Sequence, residues 1–94
     1  MASNIYAVTF ESEAQSHKDG QFSIPKEVCK ILGLTSNDEI YLDIRTPSGR
    51  VKVCKQLKSG FEIYGAEIAQ YVKASQPITV TAAKPGFEDR LDND

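Results

Sequence analysis

Residues 20–34 limit the possible folds of this chain more than any other stretch. Their sequence is GQFSIPKEVCKILGL. The alternation around Phe22 and Ile24 predicts a strand, and Pro25 has a φ that suits the first turn of a helix. Gly33 can adopt the left-handed conformation that ends a helix. We therefore expect a short strand that leads directly into a short helix.

The predicted helix has one apolar face. Val28, Ile31 and Leu32 fall at i, i+3 and i+4, so they form a stripe that we expect to be buried. Burial of each aliphatic side chain contributes roughly 1.5–3 kcal/mol, which fixes the side of the helix that faces inward. Lys26 and Lys30 lie on the opposite side and are predicted to face a partner.

These residues also carry a family resemblance. The run from Gly20 to Leu34 resembles the swapped-hairpin domain of the AbrB/MazE/SpoVT family of DNA-binding regulators and antitoxins. In that family a Gly-Gln or Gly-Arg pair, a strand, Ile-Pro-Lys-Glu, a short helix and Leu-Gly follow one another, and a similar chain order continues here through Leu57. Two departures remove positive charges that are common among the family's DNA contacts. Cys29 stands where arginine is usual, and Gln21 stands where the Gly-Arg branch has arginine.

The resemblance implies a mostly β fold with short helices. It would be a swapped-hairpin, AbrB-like β-barrel formed by an intertwined homodimer, with a C-terminal helix-strand extension. The predicted domains are a DNA-binding module at residues 1–58, an extension at 59–84 that packs on the module or its dimer mate, and a disordered acidic tail at 85–94. Because hairpins of two chains interlock in this fold, dimerisation and folding are expected to be one event.

Local patterns predict the remaining elements. They are strands at residues 5–10, 39–46, 50–57, 61–64 and 78–82, a helix at 66–74, and an exposed polar loop at 11–19. The second and third of these strands form a hairpin around Pro47-Ser48-Gly49. In the first strand of that hairpin, Ile40, Leu42 and Ile44 are predicted to face the core. We find no internal repeat in the sequence.

The supply of histidine and cysteine argues against catalysis and metal binding. His17 is the single histidine, and neither Cys29 nor Cys54 lies beside it in a nucleophile motif. These residues form no C-x-x-C or H-x-x-x-H pair, and the chain has no P-loop or G-x-G-x-x-G run. We therefore predict that the protein is not an enzyme and has no metal or other cofactor. His17 is expected to lie on the surface.

The distribution of charge matters more than its total. The formal net charge is -2, of which residues 87–94 hold -3, so residues 1–86 carry +1. A nearly neutral folded part must concentrate its lysines on one face or bind DNA weakly. No apolar run is long enough to span a bilayer, and the cysteines lack disulfide-like spacing, so we expect a cytoplasmic protein that engages no membrane.

The predicted DNA contacts lie before the Gly20 turn, on the open face of the helix at residues 25–32, and around the hairpin. They are Lys18, Gln21, Ser23, Lys26, Lys30, Arg45, Arg50 and Lys52. A solvated surface is the ordinary explanation for any single lysine. A two-fold dimer doubles the set, however, and would place equivalent basic patches at a fixed spacing along double-stranded DNA.

Three functions are open at this point. The first is a homodimeric, sequence- or shape-selective transcriptional regulator of the AbrB type. The second is an antitoxin that binds its operator and a toxin protein, with the acidic tail after Phe87 imitating nucleic acid on a basic toxin surface. The third is a dimeric protein-interaction module that has lost DNA binding, which the missing arginines and the nearly neutral core permit.

Overall fold

Six strands dominate the computed structural model, which describes residues 5–14 and 18–92. In chain order the elements are β1 (Ala7–Glu13), β2 (Gln21–Ser23), α1 (Lys26–Leu32), β3 (Glu39–Thr46), β4 (Gly49–Gln56), β5 (Glu62–Tyr64), α2 (Ala66–Ala69) and β6 (Pro77–Ala83). Turns of 3-10 helix cover Ser59–Phe61 and Glu88–Asp92. The mostly β class with short helices predicted from the sequence is therefore confirmed.

A four-stranded antiparallel sheet has the order β1-β6-β3-β4, and β2 pairs with β5 in a separate two-stranded ribbon. β6 is the last strand of the segment predicted as an extension, and it pairs with β1 on one side and β3 on the other. The C-terminal part of the chain therefore contributes an inner strand of the main sheet.

The chain order repeats, although the sequence shows no repeat. β1-β2-α1-β3 and β4-β5-α2-β6 follow the same succession, and β1 pairs with β6 as β4 pairs with β3. Backbone hydrogen bonds obey the same relation. The amide of Ile24 donates to the carbonyl of Phe61 at 2.9 Å, and the amide of Gly65 donates to the carbonyl of Gly20 at 3.3 Å. Two topologically equivalent halves are thus joined within one chain.

Side chains from both sheets and both helices form one hydrophobic core. Its fully buried members include Phe22, Leu32, Ile40, Leu42, Ile44, Ile63, Ile68, Val72 and Val80. Strands β1 and β4 add partly buried side chains, Val8 and Phe10 from the first and Val51 and Val53 from the second. The predicted inward set of β3 is confirmed, and all six strands of a single chain contribute to the core.

Two predicted boundaries are wrong by three residues or more. Residues 11–13 were expected in an exposed loop, but β1 continues through them and pairs with residues 77–79 of β6. β1 lies at the edge of the sheet, where polar side chains face the open side. Residues 11–13 are all polar and therefore lack the apolar alternation by which a strand is predicted. Helix α2 ends at Ala69 rather than continuing to residue 74. His17, predicted at the surface, lies outside the described residues.

Residues beyond β6 fold back onto the sheet. The ring of Phe87 stacks on Tyr6, with centroids 4.1 Å apart and planes 10° from parallel. Leu91, in the second 3-10 turn, is only 4% exposed. Composition predicts a disordered tail here. The structure instead has a turn through Asp92, because burial of Leu91 and stacking of the half-buried Phe87 on Tyr6 offset the acidic character of the segment.

Candidate nucleic-acid interface

Helix α1 is held by backbone geometry at both ends. Pro25 precedes it with φ -58° and ψ 140°, so the proline caps the helix and the first helical residue is Lys26. At the other end Gly33 has φ 71°, its amide donates to the carbonyl of Lys30 at 3.2 Å, and the amide of Leu34 donates to the carbonyl of Cys29 at 2.9 Å. This left-handed end confirms the predicted role of Gly33.

The buried face of α1 differs from the predicted stripe. Val28, Cys29 and Leu32 are buried, whereas Ile31 is 45% exposed. Each residue turns a helix by about 100°, so both sets of three cover an arc of about the same width. Isoleucine is the larger apolar side chain, but the packing of α1 places Cys29 rather than Ile31 in the core. Burial raises the pKa of the Cys29 thiol, which disfavours its ionised form.

The exposed face of α1 carries two lysines one turn apart. Lys26 and Lys30 are both exposed, as is Glu27 between them. Among the described residues neither lysine takes part in an ion pair. Because the opposite side of the helix is anchored in the core, the backbone holds these two ammonium groups on one surface.

A small pocket opens beside these lysines. It has a volume of about 180 Å³ and is lined by Lys26, Cys29, Lys30, Leu34 and Phe61. Cys29, Leu34 and Phe61 give the lining its apolar character, and Cys29 and Leu34 are the buried members of this set, 1% and 8% exposed. The pocket therefore combines a hydrophobic floor with a cationic rim.

A second basic group lies on the outer face of the sheet. The strand register places side chains in rows across all four strands, one of Thr9, Thr81, Asp43 and Lys52 and one of Glu11, Thr79, Arg45 and Arg50. Arg45 donates from Nη2 to the hydroxyl of Thr81 at 2.7 Å, and that hydroxyl lies 2.8 Å from the hydroxyl of Thr9. The predicted contacts Arg45, Arg50 and Lys52 are therefore brought together.

Two carboxylates offset much of this charge. Asp43 lies between the cations with a fully buried side chain and accepts two hydrogen bonds from Arg50. Glu11 occupies the next row of the same face. The sheet face therefore has weaker positive potential than its three cations suggest.

The other predicted contacts differ in their access to a partner. Lys18 is exposed in the turn before Gly20. Gln21 is only 9% exposed, and its amide donates to Glu62 at 3.4 Å. Ser23 is half-buried in the ribbon, opposite Glu62 of β5. Access is therefore best for Lys18 and for the two lysines of α1.

Sequence reasoning missed Phe61 and the threonines of the sheet face. Phe61 is distant in sequence from α1, and Thr9, Thr79 and Thr81 meet the arginines only through strand register. No signal in the sequence joins these residues.

A larger pocket of about 370 Å³ lies where the C-terminal turn meets the sheet. Its lining residues are Tyr41, Leu42, Lys52, Val53, Cys54, Glu88, Asp89 and Leu91. A hydrogen bond with the side chain of Cys54 is the largest cause that raises the pKa of Tyr41.

Among the described residues, no three His, Cys, Asp or Glu side chains are grouped to hold a metal ion. No described helix has the length and apolar character needed to cross a bilayer.

Comparison with known proteins supports the fold. No protein-family model matches the chain, and no curated protein matches it. The solution structure of PHS018 from Pyrococcus horikoshii is similar, with a TM-score of 0.65 and 16% sequence identity over 82% of this chain and 92% of that one. At this identity the likeness concerns the fold alone.

Proposed function

We propose that this protein binds double-stranded DNA and acts as a transcriptional regulator of the AbrB type. The observation that carries the proposal is the exposed pair Lys26 and Lys30, which α1 presents on one surface without an ion-pair partner among the described residues. Ammonium groups held in this way can neutralise phosphates and release counterions, the main source of affinity for DNA. Lys18 adds a third exposed cation on the turn before β2.

The sheet face is proposed to make a smaller contribution. Arg45 and Arg50 are held by Thr81 and Asp43, so their guanidinium groups have a set position. Such groups suit contacts with the DNA backbone, which position the protein, more than contacts with base edges, which recognise sequence. Because carboxylates offset their charge, we expect substitutions here to weaken DNA binding less than substitutions on α1.

We further propose that the DNA-binding form is a homodimer. A two-fold dimer would present two copies of the α1 lysine pair to two segments of one duplex. Since one chain already draws its core from all six strands, association of folded chains fits the structure better than interlocked hairpins. Light scattering would give the assembled mass. Circular dichroism across a dilution series would separate the two arrangements: chains that stay folded when the dimer dissociates are associated, whereas chains that unfold as they dissociate are interlocked.

The test is duplex binding by fluorescence anisotropy across a salt series, with the parent beside a Lys26→Ala/Lys30→Ala variant. If about four to six phosphates are neutralised, log affinity falls with log salt at a slope of roughly -4 to -5. Loss of two phosphate contacts flattens this slope by about 2 for each chain that engages the duplex. The change in slope therefore also reports whether one or two chains bind.

A Lys73→Ala/Lys84→Ala variant is the matched control, because it removes the same charge from the C-terminal half of the chain. Its slope should stay close to that of the parent. Equal losses in the two variants would mean that only net charge matters and would contradict the placement on α1. No binding at low salt would reject the proposal and favour a protein-interaction module, whereas a co-purifying toxin would favour an antitoxin.

A further inference from the structure

Phe61 has an unusual backbone conformation. Its φ is 59°, in the left-handed region that bulky side chains rarely adopt. The equivalent position in the first half of the chain is Gly20, with φ 77°, as the paired hydrogen bonds of Ile24 and Gly65 show. Glycine takes this conformation without a steric penalty. The second half therefore carries an aromatic side chain at a position where the first half has glycine.

The ring of Phe61 contributes a wall to the pocket beside α1. Phe61 is half-buried, and its carbonyl accepts the amide of Ile24, two residues before α1 begins. This bond fixes the 3-10 turn against the start of the helix, next to Lys26 and Lys30. Strained residues that persist in a fold are concentrated at ligand sites, so the outlier itself points to the pocket.

We propose that this pocket holds one unpaired nucleobase of single-stranded DNA against Phe61, while Lys26 and Lys30 contact the adjoining phosphates. The inference rests on the proposed function for those phosphate contacts. Proteins that bind single strands combine cationic grooves with exposed aromatic rings, because every base has a face that can stack. An apolar volume of about 180 Å³ with a cationic rim suits a flat ring carried by an anionic backbone.

The test uses an oligonucleotide of about 12 deoxythymidines that carries one 2-aminopurine, whose fluorescence falls when it stacks. Binding by the parent should quench this fluorescence. Substitution Phe61→Leu keeps the apolar character but removes the aromatic face, so affinity for the single strand should fall about 5- to 150-fold and the quenching should be lost. Affinity of this variant for a duplex should remain within about twofold of the parent.

A second variant separates binding from structure. Phe61→Gly removes the ring and relieves the left-handed strain, so its thermal midpoint should equal or exceed that of Phe61→Leu while its single-strand affinity stays equally low. Retained quenching and unchanged single-strand affinity in both variants would overturn the proposal.

The outcome also distinguishes this inference from the proposed function. Duplex binding that depends on Lys26 and Lys30, with no effect of Phe61→Leu on the single strand, would reject the pocket but leave the regulator. Quenching that depends on Phe61, without duplex binding, would reject the regulator but support the pocket.

A peptide of glutamates around one phenylalanine tests another class of partner. If it binds more tightly than the oligonucleotide and needs Phe61, the site serves a protein and the proposal is overturned.

Discussion

Arg50 on β4 holds the carboxylate of Asp43 on β3 through two hydrogen bonds, from Nε to Oδ1 at 2.9 Å and from Nη2 to Oδ2 at 2.6 Å. The side chain of Asp43 is fully buried, while that of Arg50 is 47% exposed. Arg50 therefore supplies the counter-charge for a buried carboxylate, and the ion pair links the outermost strand of the sheet to its neighbour.

Removal of Arg50 should destabilise the protein because it leaves Asp43 buried without this counter-charge. We expect Arg50→Ala to lower the free energy of unfolding by roughly 3 kcal/mol, measured by urea denaturation. Lys55→Ala is the matched control, since Lys55 is also on β4 but pairs with Glu67, whose side chain is 53% exposed. That control should lose less than about 1 kcal/mol. Similar losses in both variants would contradict the role given to burial of Asp43.

Neighbouring residues of α1 should respond very differently to truncation. Leu32 is fully buried, so Leu32→Ala should cost roughly 2–5 kcal/mol in the free energy of unfolding. Ile31 is 45% exposed, so Ile31→Ala should change it by no more than about 0.5 kcal/mol. Chemical denaturation of both variants measures the difference. A large loss of unfolding free energy for Ile31→Ala would mean that Ile31 is buried, as the stripe predicted from the sequence requires.

The Cys29 thiol should make stability depend on alkaline pH. Burial raises its pKa in the folded protein above the ordinary value of 9.0. Above about pH 9 the unfolded chain releases this proton more readily than the folded chain, so rising pH favours unfolding. The contribution is fully present below the ordinary pKa and is lost as pH rises through the folded pKa. Urea midpoints from pH 8 to 10.5 should therefore fall more steeply in the parent than in Cys29→Ala.

A thiol-labelling experiment provides the control for this prediction. Cys54 is exposed, and Cys29 is buried. Ellman's reagent at neutral pH should therefore modify one thiol per folded chain rapidly and the second only on unfolding. Rapid labelling of Cys29 in a Cys54→Ser variant would contradict its assigned burial.

Alanine substitutions at Gly20 and Gly33 distinguish the cost of backbone strain from the cost of steric contact. Both have positive φ, at 77° and 71°. A Cβ at Gly20 would lie 3.0 Å from the carbonyl oxygen of Gly65, whereas a Cβ at Gly33 meets nothing within 4 Å. Gly33→Ala should therefore cost about 1 kcal/mol of unfolding free energy, and Gly20→Ala roughly 3 kcal/mol or more. Thermal denaturation would measure both changes, and equal losses would show that the close contacts with Gly65 and Ala69 are unimportant.

The segments that the sequence predicts best are those whose signals lie close together along the chain. Strand β3 has the predicted limits, and the hairpin it forms with β4 follows from apolar alternation around a turn. β2 and the end of α1 at Gly33 also agree with the prediction. Apolar alternation does not predict the end of β1, since residues 11–13 are polar on an edge strand. Composition does not predict the turn at Leu91, because this turn packs on β3 and β6.

The candidate site was predictable only in part. Lys26 and Lys30 follow from the helical pattern, and their exposure agrees with it. The pocket beside them does not, because its wall is Phe61, and the burial of Asp43 depends on an arginine of the next strand. These arrangements arise from contacts between segments that sequence patterns treat separately.

Local signals in the sequence determined β2, the end of α1 at Gly33 and the hairpin of β3 and β4, because glycine, proline and apolar periodicity act locally. Packing of the whole chain is needed to place Cys29 rather than Ile31 in the core, to set β6 between β1 and β3, and to give the two halves the same topology. These choices depend on packing among distant residues. Several faces of a short helix and several strand orders satisfy the same local pattern, and the shared core selects one of them.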